Sequence, residues 1–213
     1  ILDCYLPRED VRDAFVSPGI ARLADLPEGA VVGSSSLRRR AQLAHRRPDL
    51  KLVEFRGNVQ TRLKKLQDGV AQATFLAMAG LNRLGMAHVA QGPIEVEEML
   101  PAVAQGAIGI ECRMADDTVR AMLAALHDGL TGERLAAERA FLATLDGSCE
   151  TPIAGLALHD GAGLWLRGEI LRPDGSEVIG GERRVAVADA AEAGADLARE
   201  LLSQAPANFF DWR

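Results

Sequence analysis

Five arginines and one cysteine carry the chemistry this sequence offers. Arg38 and Arg39 follow the apolar run VVGSS, Arg56 follows KLVEF, Arg62 lies one helical turn beyond Asn58, and Arg83 sits near the end of AGLNRLG. A guanidinium can hold a carboxylate or phosphate through two parallel N–H bonds, which a lysine ammonium cannot. Arginines delivered by successive segments therefore point to a ligand carrying several carboxylates or phosphates. Cys149 lies in the polar loop DGSCETP, where a thiol would be exposed, whereas Cys4 and Cys112 sit in apolar runs and read as small buried hydrophobes. The three cysteines and four histidines are scattered, so neither a disulfide framework nor a metal site is expected.

The elements that must position these arginines alternate in type. Val31 to Ser35 reads as a buried strand, and the helix after it is capped by Ser35 or Ser36. Lys51 to Phe55 is a second strand, followed by a helix from Asn58 that ends before Gly69. Ala73 to Met78 is a third strand, leading into a short helix. This pattern predicts a mainly parallel sheet covered on both faces, with ligands at the carboxyl ends of its strands. Helix N-termini at that edge add N–H groups and a dipole that favour anions. Past Pro101 come a strand at AIGIECR, helices over 117–127 and 132–145, three strand-like segments and a closing helix over 190–202. The turn RPDG joins the last two of those strands.

Charge is unevenly spread. The chain carries −6 overall, yet residues 34–65 hold ten lysines and arginines against Asp49 and Glu54, so that stretch is +8 and the remainder −14. A basic face on an acidic protein suits a specific anionic ligand better than a nucleic acid. Aromatics make up 4% of the chain and none interleaves with the arginines to stack bases. No apolar run approaches the roughly 18 residues that span a bilayer. The absence of a signal-like opening and the cysteine usage lead us to expect a cytoplasmic protein. For any single arginine a solvated helix face is the commoner role, and Arg40, Arg46 and Arg47 are read that way.

The segments VVGSSSLRRRAQL, RGNVQTRLKKL, LAMAGLNRLG, LPAVAQGAIGIECR and ERAFLATLDGSCETPIAG occur in the order of the signature segments of porphobilinogen deaminases, and the chain resembles that family over nearly its whole length. The resemblance implies α/β plus α+β architecture: two periplasmic-binding-protein-like α/β domains and a small C-terminal α+β domain. Residues 1–10 and 101–128 would be the remnant of the first domain, 11–100 the second and 129–213 the third. It implies a transferase of tetrapyrrole and haem biosynthesis that joins four porphobilinogen units, with loss of ammonia, into hydroxymethylbilane. The growing chain would be primed by a dipyrromethane held on Cys149 through a thioether. Ser34, Ser36, Arg38, Arg39, Arg56 and Arg62 correspond to cofactor-binding positions, and Arg56, Arg62 and Arg83 to substrate-binding ones. The implied protein is a monomer with porphobilinogen as its partner and no nucleic acid, membrane or metal.

The family's general acid/base aspartate has no counterpart before Ile1, so no catalytic residue is assigned and Asp3 and Asp10 are not substituted for it. The opening ILDCYL reads as a strand with nothing before it to pair with, which leads us to expect upstream sequence and an inactive isolated polypeptide. The competing reading is a non-catalytic anion-binding module of the periplasmic type.

Overall fold

The computed structural model describes residues 1–148 and 151–212. The opening strand β1 (Leu2–Tyr5) does find a partner, but far along the chain: it pairs antiparallel with β7 (Gly109–Glu111) in a two-stranded ribbon. Between the ribbon strands the chain forms a five-stranded sheet from β2 (Asp13–Val16), β3 (Val31–Gly33), β4 (Lys51–Val53), β5 (Ala73–Ala77) and β6 (Gly92–Pro93). Its order is β4-β3-β5-β2-β6. Strand β3 runs parallel to β4 and β5, as the sequence predicts, whereas β2 lies antiparallel to both β5 and β6. The sheet is therefore mixed.

The antiparallel half has a physical reason. All four residues of β2 are buried, with Phe15 packing on one face and Ala14 and Val16 on the other. A strand buried on both faces shows no polar alternation to announce it.

Helix α1 (Leu37–Arg46) follows β3 and is capped by Ser36, whose hydroxyl accepts from the Arg39 amide. Helix α2 (Val59–Gln67) follows β4 and is capped in the same way by Asn58 on the Thr61 amide. Helix α3 (Met78–Arg83) springs directly from β5. Leu43 of α1 packs with Phe15, Val32 and Phe75 on one side of the sheet. Leu66 of α2 and Leu81 of α3 pack with Phe55 and Leu76 on the other.

After the ribbon come α4 (Asp117–Ala124) and α5 (Gly129–Thr144), the latter starting three residues before its expected position because Asp128 caps it. The C-terminal unit is an antiparallel sheet of β8 (Ile153–Asp160), β9 (Gly163–Leu171) and β10 (Val178–Ala186), in the order β10-β9-β8, with α6 (Ala190–Gln204) closing it. Phe141 of α5 and Leu197 and Leu201 of α6 bury against Leu164, Leu166 and Ile170. The two helices approach so closely that a Cβ on Gly194 would lie 2.1 Å from the Ala137 carbonyl oxygen. The architecture is α/β plus α+β, as expected. No described helix is long and apolar enough to cross a membrane.

Candidate anion-binding site

Because β3, β4 and β5 are parallel, their carboxyl ends share one edge of the sheet. Strand β2 runs the other way, so its first residue, Asp13, lies opposite Ala77 at that same edge. The chain leaving β3 is shaped by hydroxyls. Ser34 is buried and its Oγ accepts from the Ser36 amide at 3.3 Å, while Ser35 Oγ accepts from the Phe55 amide at 2.9 Å. Ser36 caps α1. Among the described residues, therefore, Ser34 and Ser36 brace the turn that launches α1.

Arg38 and Arg39 do not stand out in solvent, as a helix-surface pair would. They are only 4% and 8% exposed and turn in toward Asp13, which is fully buried. Arg38 Nη2 donates to Asp13 Oδ2 at 2.8 Å, and Arg39 donates to Oδ1 through Nε at 3.1 Å and Nη2 at 2.7 Å. Their other bonds go to main chain, Arg38 Nη1 to Leu100 O at 2.7 Å and Arg39 Nη1 to Phe75 O at 3.2 Å, and to the Gln105 side chain, whose Oε1 accepts from Arg38 Nη2 at 3.4 Å. Gln105 Nε2 completes the cluster on Asp13 Oδ1 at 2.9 Å. Burial alone would push the Asp13 carboxyl up, but the two guanidinium groups outweigh it and bring it down to about 2. The carboxylate stays charged, and two arginines against one aspartate leave a net positive cluster.

Arg62 adds to that excess. It is partly buried, its Nε donates to Gly57 O at 2.8 Å, and its pKa is lowered by burial and by the charge of Arg39. Two guanidinium groups close enough to oppose each other make this edge locally positive. Arg56 is exposed and pairs with Glu54 at 2.5 Å, and Arg83 is exposed at the end of α3. The structure thus gathers Arg38, Arg39 and Arg62 beside Ser34 and Ser36, and leaves Arg56 and Arg83 at the surface of the same strand ends. Arg46 is exposed, as expected of a solvated face, whereas Arg47 is tied to Asp49 and to Leu26 O.

Cys149 lies outside the described residues. Its neighbours Ser148 and Thr151 are joined by hydrogen bonds, the Ser148 amide to Thr151 Oγ1 at 2.8 Å and Thr151 Oγ1 to Ser148 O at 2.7 Å. Cys4 is buried and its thiol points to Leu123 O, and Cys112 is partly buried.

Sequence reasoning missed Asp13 and Gln105. The available signal was an acidic residue heading the apolar run DAFV, where a solvated loop would not need one buried.

These features define an α/β unit with a positively charged strand edge, coupled to an α+β unit. Family comparison gives that class an identity. Residues 1–121 match the family model described as porphobilinogen deaminase, dipyromethane cofactor binding domain, and residues 133–203 match porphobilinogen deaminase, C-terminal domain. The chain is 70% identical over its whole length to a porphobilinogen deaminase of Paracoccus denitrificans, and 54% identical over 98% of its length to one of Nitrobacter hamburgensis. It spans 68% and 66% of those two relatives. A solved periplasmic binding protein of Salmonella typhimurium with high arginine specificity overlaps 60% of this chain and 58% of its own at 15% identity, with a TM-score of 0.37, too slight a likeness to define the fold. The chain belongs to the porphobilinogen deaminase family.

Proposed function

We propose that the protein containing this chain joins four porphobilinogen units into hydroxymethylbilane, with this chain supplying the carboxylate-binding edge and the cofactor-bearing unit. The observation that carries the reading is the positive excess of Arg38, Arg39 and Arg62 over Asp13 at the carboxyl ends of β3 and β4. A dipyrromethane fits it, since every pyrrole of such a chain brings two carboxylates to a site with uncompensated guanidinium charge. When bound, that group supplies the free pyrrole position to which porphobilinogen adds with loss of ammonia. Cys149 would hold it through a thioether.

The roles of the chain's own residues follow from their placement. Arg38, Arg39 and Arg62, partly desolvated, bind and orient carboxylates more strongly than exposed cations can. Ser34 and Ser36 hold the turn and have hydroxyl protons left to donate. Arg56 and Arg83, exposed on neighbouring strand ends, would meet the carboxylates of incoming substrate. Residues 11–100 would form the carboxylate-binding domain, 129–213 the cofactor-bearing domain, and 1–10 with 101–128 part of a further α/β domain. We place the protein in the cytoplasm as a monomer, acting on a small molecule rather than on nucleic acid or membrane.

Intact-protein mass spectrometry of the full-length protein beside a Cys149→Ser variant tests this. Extra mass equal to two linked pyrroles, lost in the variant, is expected along with hydroxymethylbilane formation. A bare polypeptide mass with no turnover of porphobilinogen would sink the reading and leave an anion-binding module.

A further inference from the structure

Asp13 is given no contact with substrate or cofactor above, yet it is the most heavily engaged side chain at the sheet edge. Four N–H donors converge on its two oxygens, three from the arginines of α1 and one from Gln105. Gln105 Nε2 also donates to the Val11 carbonyl at 2.7 Å, and the Gln105 carbonyl accepts from Arg8 Nε at 3.0 Å. The chain crosses between the ribbon and the five-stranded sheet twice, at 6–12 and 94–108, and both crossings meet at this carboxylate. A guanidinium is a rigid plane of five donors, so fixing some of them fixes where the rest point.

We propose that Asp13 is the positioning residue for Arg38 and Arg39: it sets the planes of both guanidinium groups for the ligand's carboxylates and ties them, through Gln105, to the two crossings. This rests on the carboxylate-binding role proposed for that edge. The sign of a substitution follows from charge. Asp13→Asn keeps the shape but removes the only carboxylate hydrogen-bonded to Arg38 and Arg39 among the described residues, so the edge becomes more positive while its arginines lose their alignment. Small anions should bind more tightly, and productive chain growth should fail.

The test uses the full-length protein, with rates normalised to folded, cofactor-loaded enzyme by mass spectrometry. For Asp13→Asn we expect kcat to fall at least tenfold, KM for porphobilinogen not to rise, and inhibition by inorganic phosphate to tighten several-fold. A purely structural role would lower the folded fraction and leave the normalised kcat and the phosphate inhibition constant at wild-type values; that result overturns the proposal. If the variant does not fold, Gln105→Leu decides, since it removes one donor from Asp13 and the tie to Val11. A kcat reduced about threefold supports the proposal and unchanged kinetics overturn it. A wild-type protein with neither turnover nor added mass would instead defeat the function itself.

Discussion

Two buried carboxylates in this chain each accept four N–H donors, and they do opposite things. Glu138 of α5 is sealed: its side chain and that of Arg8 are both 0% exposed and paired at 2.6 Å. It also accepts from the amides of Ala104 at 2.7 Å and Ala157 at 2.9 Å, so it sews the C-terminal unit to both chain crossings. One guanidinium meets one carboxylate and the knot is neutral. Asp13 faces two guanidinium groups at the carboxyl edge of the parallel strands, so its knot keeps a positive charge. A buried pair that cancels itself has nothing left to offer a ligand, whereas a buried cluster with charge to spare is incomplete until an anion arrives.

The sharpest way to break this contrast is to remove Glu138. Glu138→Ala would strand the Arg8 charge inside the protein and is expected to cost about 3–5 kcal/mol in urea unfolding. Replacing both partners with apolar residues, Arg8→Met with Glu138→Leu, should cost far less than either single change. A double variant as unstable as the single ones would mean that the pair contributes more than it cancels.

Arg39→Gln probes the other knot and should behave differently. It leaves Asp13 with Arg38, a neutral pair, so the expected loss of stability is about 1–2 kcal/mol, the scale of a few lost hydrogen bonds. Affinity for carboxylates should nonetheless fall strongly, because the charge left over at that edge is then that of Arg62 alone. A stability loss matching that of Glu138→Ala would show that both knots are structural.

How much of this was legible in the sequence depended on whether the signal was local. Ser36 and Asn58 as caps, the strands before them and the arginines just beyond were readable because capping and strand–helix alternation act over a few residues. Asp13 was not, since β2 is four residues buried on both faces, and its partners lie 25 and 26 residues away. Glu138 looked like an ordinary polar position in AAERAFLATL; its burial depends on Arg8, 130 residues distant. Charge that is cancelled from afar leaves no mark on its own segment. The same reasoning explains why the inward turn of Arg38 and Arg39 is not legible: the carboxylate that draws them in comes from a strand the pattern does not reveal.

Acid should separate the knots by a smaller amount. The Asp13 carboxyl sits at about 2 when folded, below its ordinary value of 3.8. Its ionised form is therefore favoured by folding, and the stability this brings is present above pH ~4 and lost as pH falls toward 2. The size is on the order of 2 kcal/mol. Urea unfolding from pH 6 to 2 should show the gap between wild type and Asp13→Asn narrowing by that amount below pH ~4. A gap that stays constant would mean the carboxylate gains nothing from its arginines.

A third carboxylate sharpens the comparison with the smallest effect. Glu169 on β9 is largely buried, and its Oε2 has no hydrogen-bond partner among the described residues. Arg46, His45, Arg167 and Arg38 all face it and favour its charge, yet burial prevails and raises its pKa. Here the folded state takes up the proton more readily than the unfolded chain, so stability declines as pH rises from the ordinary carboxylate range through the raised value. Glu169→Gln removes a charge that folding must desolvate without a donor to satisfy it. The variant should be slightly more stable than wild type at pH 7, with the advantage vanishing by pH ~4 where both side chains are neutral. A less stable variant at pH 7 would place Glu169 with Asp13 and Glu138, as a carboxylate whose charge the fold uses. The expected gain would confirm that burial beside arginines is not enough: what distinguishes the two knots is donors aimed at the oxygens.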